Sequence, residues 1–177
     1  MKHRSAAIGG VVVLALAVLV YLFATAPTDP DREGSNPLVG KSAPAIESTD
    51  STGRAFHLAD YRNRWLLVNF FATWCTPCKV EHPQLVAFNR EHSASGDASI
   101  VSVAYDDEPS AVSDFFSQNG GDWPVIASGA GNFSLQYGVV KLPESYLIDP
   151  QGIVVHKFVG GVTVDGIDAE IAKRAKR

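Results

Sequence analysis

Apolar positions change their period several times along this chain. From Ser5 to Thr28 there is no charged residue, and the middle of the stretch reads VVVLALAVLVYLF. A bilayer core needs ~20 apolar residues in a helix, so residues 1–28 predict a transmembrane anchor. Residues 29–42 are rich in Pro, Gly, Ser and charge and read as a linker. A domain over 43–177 follows. Strand-like pieces around Asp50-Ser-Thr-Gly53 predict a small hairpin within 44–58. Trp65 to Ala72 is a nearly continuous apolar run, which suits a central strand buried on both faces. A turn over Thr73–Cys78 leads into a helix. Pro77 fits its first turn, and Val80, Leu85, Val86 and Phe88 carry it to about His92. A second strand is expected over Ile100–Tyr105. An amphipathic helix over Glu108–Asn119 turns Val112, Phe115 and Phe116 inward and stops near Gly120. A short strand over Trp123–Ala127 and a helical turn over Phe133–Tyr137 come next. Tyr146–Ile148 and Ile153–Phe158 form a strand pair around the turn sequence Asp149-Pro-Gln-Gly152. Val164–Arg177 closes the chain as a helix whose Lys and Arg residues suit its negative end. The order predicts an α/β domain: a central mixed sheet with helices on both faces.

Composition changes this picture only at the edges. The chain has 177 residues, and the roughly 140 left after the first segment can bury about two thirds of their surface without disulfide staples. A net charge of −4 gives no reason to expect a nucleic-acid partner. Lys2 and Arg4 precede the apolar segment, and Asp29, Asp31 and Glu33 follow it with only Arg32 among them. The positive-inside bias therefore places the N-terminus in the cytoplasm and the domain outside the cell membrane. A cleaved signal peptide is the rival. Ala24-Thr25-Ala26 fits a cleavage pattern, but the apolar region is long for one and Pro27 is a poor residue after a cut. Both readings export the domain.

The two cysteines of the chain lie in one Cys-x-x-Cys, Cys75 and Cys78. An exported chain with that single pair is no stapled scaffold, and a redox couple is the better reading. At a helix start, unpaired N–H groups and partial positive charge stabilise a thiolate at Cys75. Cys75 would then attack a disulfide, and Cys78, one turn down and more buried, would resolve the mixed disulfide. A zinc site wants four ligands, and here there is one pair plus His82. A c-type haem site needs His after the second Cys, where Lys79 stands. A structural disulfide without turnover remains a further alternative. A peroxidatic cysteine would want a Thr three positions before Cys75, where Ala72 stands.

With Trp74 before the pair and Pro77 inside it, FATWCTPCKVEHP resembles the active site of membrane-anchored thioredoxin-like thiol–disulfide oxidoreductases of the cytochrome c biogenesis type. GKSAPAIESTDSTGR is similar to that group's entry hairpin and LPESYLIDPQG to its second signature. The resemblance covers about residues 38–175. It implies a thioredoxin fold with an N-terminal hairpin and a central insertion. It also implies a cis-proline at Pro143 facing the disulfide, where backbone beside the thiols can pair with an extended substrate.

Glu81 lies three residues after Cys78, so the two share a helix face. If buried, its carboxyl pKa rises and it can shuttle a proton for Cys78. The family's acid at this position supports that role. Glu144 after Pro143 resembles the Pro-Glu pair of the cytochrome c biogenesis branch and is expected near the site. Ordinary thioredoxins carry a buried aspartate six residues before the first Cys. Here Asn69 stands there and cannot titrate, which makes Glu81 the better candidate for proton carrier. Trp74, Thr76, Pro77, Leu142 and Glu144 are the expected substrate contacts, with Trp74 covering the disulfide. His82 and Lys79 are expected on the surface.

The leading expectation is a monomeric reductase of disulfides in exported proteins, without a bound cofactor or metal. The resemblance implies apocytochrome c as substrate and a membrane electron donor as partner. An oxidant that forms disulfides is the alternative within the class, disfavoured because acids near the thiols destabilise thiolate. A copper chaperone using Cys75, Cys78 and His82 is the alternative outside it.

Overall fold

The computed structural model describes Leu16, Val18 and residues 37–175. The expected anchor over residues 1–28 and most of the linker lie outside the described residues, apart from Leu16 and Val18, which are helical. Among the described residues no helix is long and apolar enough to cross a membrane. The packed unit reaches back into the expected linker. Gly40 donates to the Val154 carbonyl at 2.8 Å, and Ala43 donates to that of Gly152 at 2.9 Å.

A hairpin of β1 (Glu47–Thr49) and β2 (Ala55–His57) opens the domain, followed by a 3-10 turn over Leu58–Tyr61. Then come β3 (Trp65–Phe71), α1 (Thr76–Ser93), β4 (Ala98–Ala104) and α2 (Pro109–Asn119). After β5 (Val125–Ile126) and α3 (Ala130–Tyr137), the chain ends in β6 (Glu144–Ile148), β7 (Val154–Val159) and α4 (Val164–Ala175). The main sheet has the order β5-β4-β3-β6-β7. β4 runs parallel to β3 and to β5, whereas β6 runs antiparallel to β3 and to β7. This is the mixed sheet that the strand order predicted, with α2, β5 and α3 inserted between β4 and β6.

The apolar run of β3 makes it the central strand. Leu67 and Phe71 face one core, with Leu85 and Phe88 of α1, Val112 of α2 and Ile167 of α4. Leu66, Val68 and Phe70 face the other, with Ile46 and Phe56 of the hairpin region and Tyr137 of α3. Alternation sends successive residues to opposite faces, so both cores draw on one strand. Truncating one of these side chains to Ala should destabilise the fold by about 2–5 kcal/mol.

α1 carries the site. Cys75 is its N-cap, and its sulfur accepts the Cys78 N–H at 3.3 Å. Pro77 sits in the first turn, where a missing N–H leaves no helical bond unmade. Pro83 lies inside the helix, so the Lys79 carbonyl has no N–H four residues on to bond with. Val80, expected among the apolar positions, is exposed.

Candidate active site

Cys75 and Cys78 form a disulfide, with Cα atoms 5.3 Å apart. Both are buried, Cys75 at 6% exposure and Cys78 at 3%, and of the two Cys75 lines the adjacent groove. The Leu142–Pro143 bond is cis, as expected. The Pro143 carbonyl accepts the Gly160 N–H at 2.9 Å, which ties the residue before β6 to the end of β7.

Beside Cys75 lies a mostly apolar groove of about 460 Å³. Trp74, Thr76, Pro77 and Leu142, the residues expected to contact substrate, all line it. Tyr105 and Val139–Lys141 line it too, and the sequence reading missed them. Trp74 is exposed and stands as a wall of the groove.

Glu81 is 3% exposed. Its Oε1 accepts from Asn69 Nδ2 at 2.9 Å, and its Oε2 accepts the Val162 N–H at 3.0 Å. Among the described residues it forms no ion pair. Burial pushes its carboxyl up to about 7, against the lowering pull of the Asn69 and Val162 hydrogen bonds. Asn69 is therefore more than the loss of a titrating group, because it orients the acid that does titrate. Its Nδ2 also donates to Ser145 Oγ at 3.0 Å. Its Oδ1 accepts from Ser102 Oγ at 3.4 Å, and Ser102 in turn accepts the Trp123 indole N–H at 2.8 Å. Asn69, Ser102 and Ser145 are direct cross-strand partners on three neighbouring strands. Asn69, a lone polar residue inside the apolar run of β3, was the signal that could have found this row.

Two expected placements are corrected. His82 is not on the surface. It is buried, with its ring against Phe115, Phe116 and Trp123. Its Nε2 meets the Gly120 carbonyl at 2.9 Å, so that nitrogen carries the proton. Burial pushes its pKa down, partly offset by that hydrogen bond. The copper reading needed His82 beside the thiols, and the ring is committed elsewhere. Glu144 does not line the groove. It is fully buried on β6 and pairs with Lys157 at 2.9 Å. It reaches the groove wall through the Val140 N–H, which its Oε2 accepts at 3.3 Å. The neighbouring Pro143 is buried as well, and Lys79 is exposed as expected.

The arrangement can carry out thiol–disulfide exchange: a groove-lining cysteine at a helix start, a second cysteine one turn down, a buried acid one turn further and an apolar groove alongside. Known proteins agree with that chemistry. The redoxin family profile matches residues 38–174. The chain is 36% identical over 150 residues to the thiol:disulfide interchange protein DsbE of Pseudomonas aeruginosa, covering 83% of this chain and 80% of that one. It is 31% identical over 135 residues to the thiol-disulfide oxidoreductase ResA of Bacillus thuringiensis subsp. konkukian, covering 76% and 78%. It is 32% identical over 152 residues to the thiol:disulfide interchange protein HelX of Rhodobacter capsulatus, covering 84% and 83%. Among solved structures, a thioredoxin family thiol:disulfide interchange protein from Chlorobium tepidum superposes with a TM-score of 0.68 at 25% identity. That match covers 75% of this chain and 94% of the other.

Proposed function

This chain belongs to the redoxin family and is a thiol–disulfide oxidoreductase, and on that premise we propose that it works outside the cell membrane as a reductant of disulfides in exported proteins. The resemblance carried by FATWCTPCKVEHP and LPESYLIDPQG favours apocytochrome c as the substrate and a membrane-bound dithiol protein as the electron donor. An anchor within residues 1–28 would keep the domain near both.

In the forward direction the Cys75 thiolate attacks one sulfur of a substrate disulfide. A Cys75–substrate disulfide forms and one substrate thiolate leaves. Glu81, as the carboxylate, takes the Cys78 proton, and the Cys78 thiolate attacks Cys75. The second substrate thiolate leaves and is protonated, and Cys75–Cys78 is left oxidised. The substrate gains two electrons and the enzyme dithiol loses them. The donor's dithiol then restores the reduced enzyme through the same exchanges in reverse. Trp74, Thr76, Pro77 and Leu142 supply the contact surface, and the backbone before cis-Pro143 pairs with an extended peptide in this reading.

The observation that carries the direction is Glu81, a buried acid on the Cys78 face with only neutral partners. A nearby carboxylate disfavours thiolate, and a couple whose thiolate is not stabilised is reducing. Titrating the Cys75–Cys78 couple of the full chain against dithiothreitol and glutathione buffers tests it. A midpoint near thioredoxin's, about −270 mV, or lower is expected. A midpoint near about −120 mV, where strong oxidants lie, would reverse the assigned direction.

A further inference from the structure

The turn that presents Trp74 is held from outside its own helix. Ala72 to Cys75 form a turn closed by the Cys75 N–H on the Ala72 carbonyl at 3.1 Å, with Thr73 and Trp74 at its centre. Trp74 is 59% exposed, so burial does little to fix its ring. The loop between β4 and α2 fixes it instead. Asp107 Oδ2 accepts the Thr73 N–H at 2.5 Å, and Asp107 Oδ1 accepts the Thr73 hydroxyl at 2.8 Å. The Trp74 indole N–H donates to the Asp106 carbonyl at 3.0 Å. Asp106 has a φ of 46°, in the left-handed region that residues other than glycine seldom occupy. The preceding residue, Tyr105, lines the same groove as Trp74. One loop thus supplies an aromatic wall itself and two anchors for the facing one.

We propose that Asp107, aided by the Asp106 carbonyl, is a positioning residue that sets Trp74 as a wall of the groove and thereby determines how tightly a peptide disulfide is held. Hydrogen bonds to a carboxylate are about twice as strong as neutral ones. Ordering an exposed indole before the substrate arrives removes an entropic penalty from binding. Asp107 acts through Thr73 and Trp74 and touches neither sulfur. The proposal rests on exchange activity and not on its direction.

The test is single-turnover reduction by the pre-reduced full chain, quenched and alkylated. Its substrates are a synthetic peptide with an intramolecular Cys-x-x-Cys disulfide and, separately, hydroxyethyl disulfide, which is too small to span the groove. Asp107→Ala should raise the half-saturating peptide concentration about tenfold, equivalent to about 1.4 kcal/mol. Its limiting rate, its rate with hydroxyethyl disulfide and its midpoint potential should stay within about twofold of wild type in equilibrium terms. Trp74→Ala should weaken peptide binding as well, and Asp107→Ala should add almost nothing to it, because the two act as one unit. Asp107→Asn can keep both contacts, its amide oxygen accepting the Thr73 N–H and its amide nitrogen donating to the Thr73 hydroxyl, but it loses the carboxylate charge and should fall between. If Asp107→Ala does not fold, Asp107→Asn and Thr73→Val carry the same comparison. Full additivity with Trp74→Ala, or equal losses against both disulfides, overturns the proposal. So does a wild type that reduces the small disulfide without saturating with the peptide. A wild type that reduces neither overturns the exchange reading itself.

Discussion

Glu81 and Glu144 are both buried, and they lie on opposite faces of the sheet. Glu81 meets Asn69, whose neighbours in β3 on the same face are Leu67 and Phe71. Glu144 is in register with Phe70, which faces the other core. On the first face the acid is surrounded by neutral donors, an amide and a backbone N–H, and its pKa rises to about 7. On the second, Lys157 stands 2.9 Å away and itself lies against the Tyr146 ring. Lys157 also reaches the Gly138 carbonyl at 3.5 Å, while Glu144 holds the Val140 N–H, so the pair braces the segment that walls the groove. Glu144 Oε1 has no hydrogen-bond partner, which leaves the lysine as its main compensation. Two residues of the same type thus do different work. A buried acid with neutral partners can trade protons near neutrality. A buried acid with a cation beside it serves position.

The largest effect that would break this contrast is removal of the cation. Lys157→Met leaves Glu144 buried without compensation and should destabilise the domain by about 3–5 kcal/mol in urea unfolding. Lys157→Met with Glu144→Gln should recover most of that loss. Equal destabilisation by the single and double variants would show that the two charges are not coupled.

Glu81 should write its titration into stability. Its folded pKa of about 7 lies above the ordinary 4.5, so the folded protein binds more protons than the unfolded chain between those values. Stability contributed by this group is full below pH 4.5 and falls as pH rises to about 7, by about 3 kcal/mol in all. Glu81→Gln should flatten that slope, seen in denaturant melts across the window. A slope that survives the substitution would assign it to another group.

The same variant sharpens the functional side. Without a proton acceptor for Cys78, resolution of the mixed disulfide should slow by about 100-fold, measured by rapid-quench trapping near neutral pH. Glu144→Gln should leave that rate nearly unchanged. Comparable slowing in both variants would erase the distinction between the two faces.

The smallest expected effect is at Asn69. Asn69→Ala removes two donors from the row and should cost about 1–3 kcal/mol of stability. It should also raise the Glu81 pKa further, because the Asn69 hydrogen bond pulls it down. Infrared titration of the carboxyl would detect that, and a lowered pKa would contradict the assigned role of Asn69.

Much of this arrangement was legible in the chain. The apolar run of β3, the Trp74-Cys75-Thr76-Pro77-Cys78 turn and the helix it starts follow from local pattern and proline chemistry. That Glu81 shares the helix face of the buried Cys78 was readable because helical spacing is fixed. His82 was misplaced although its helix was right. Its partners Phe115, Phe116 and Trp123 arrive from α2 and the approach to β5, and no local period reports them. Glu144 was assigned to the site because it follows Pro143. The strand alternation turns it into the second core, toward a lysine on β7 that nothing near it in sequence announces.

The sequence by itself determined the dithiol, its place at a helix start, the central strand before it and the acid one turn beyond. Each depends on a short-range geometric rule, the period of a strand or helix or the fixed φ of proline. Only the tertiary structure decided what surrounds the two acids, because pKa and charge compensation depend on groups brought in from distant strands. It also decided which loop holds Trp74. Asp107 and Thr73 meet only because β3 and β4 run parallel, which brings the ends of both strands to the same edge of the sheet.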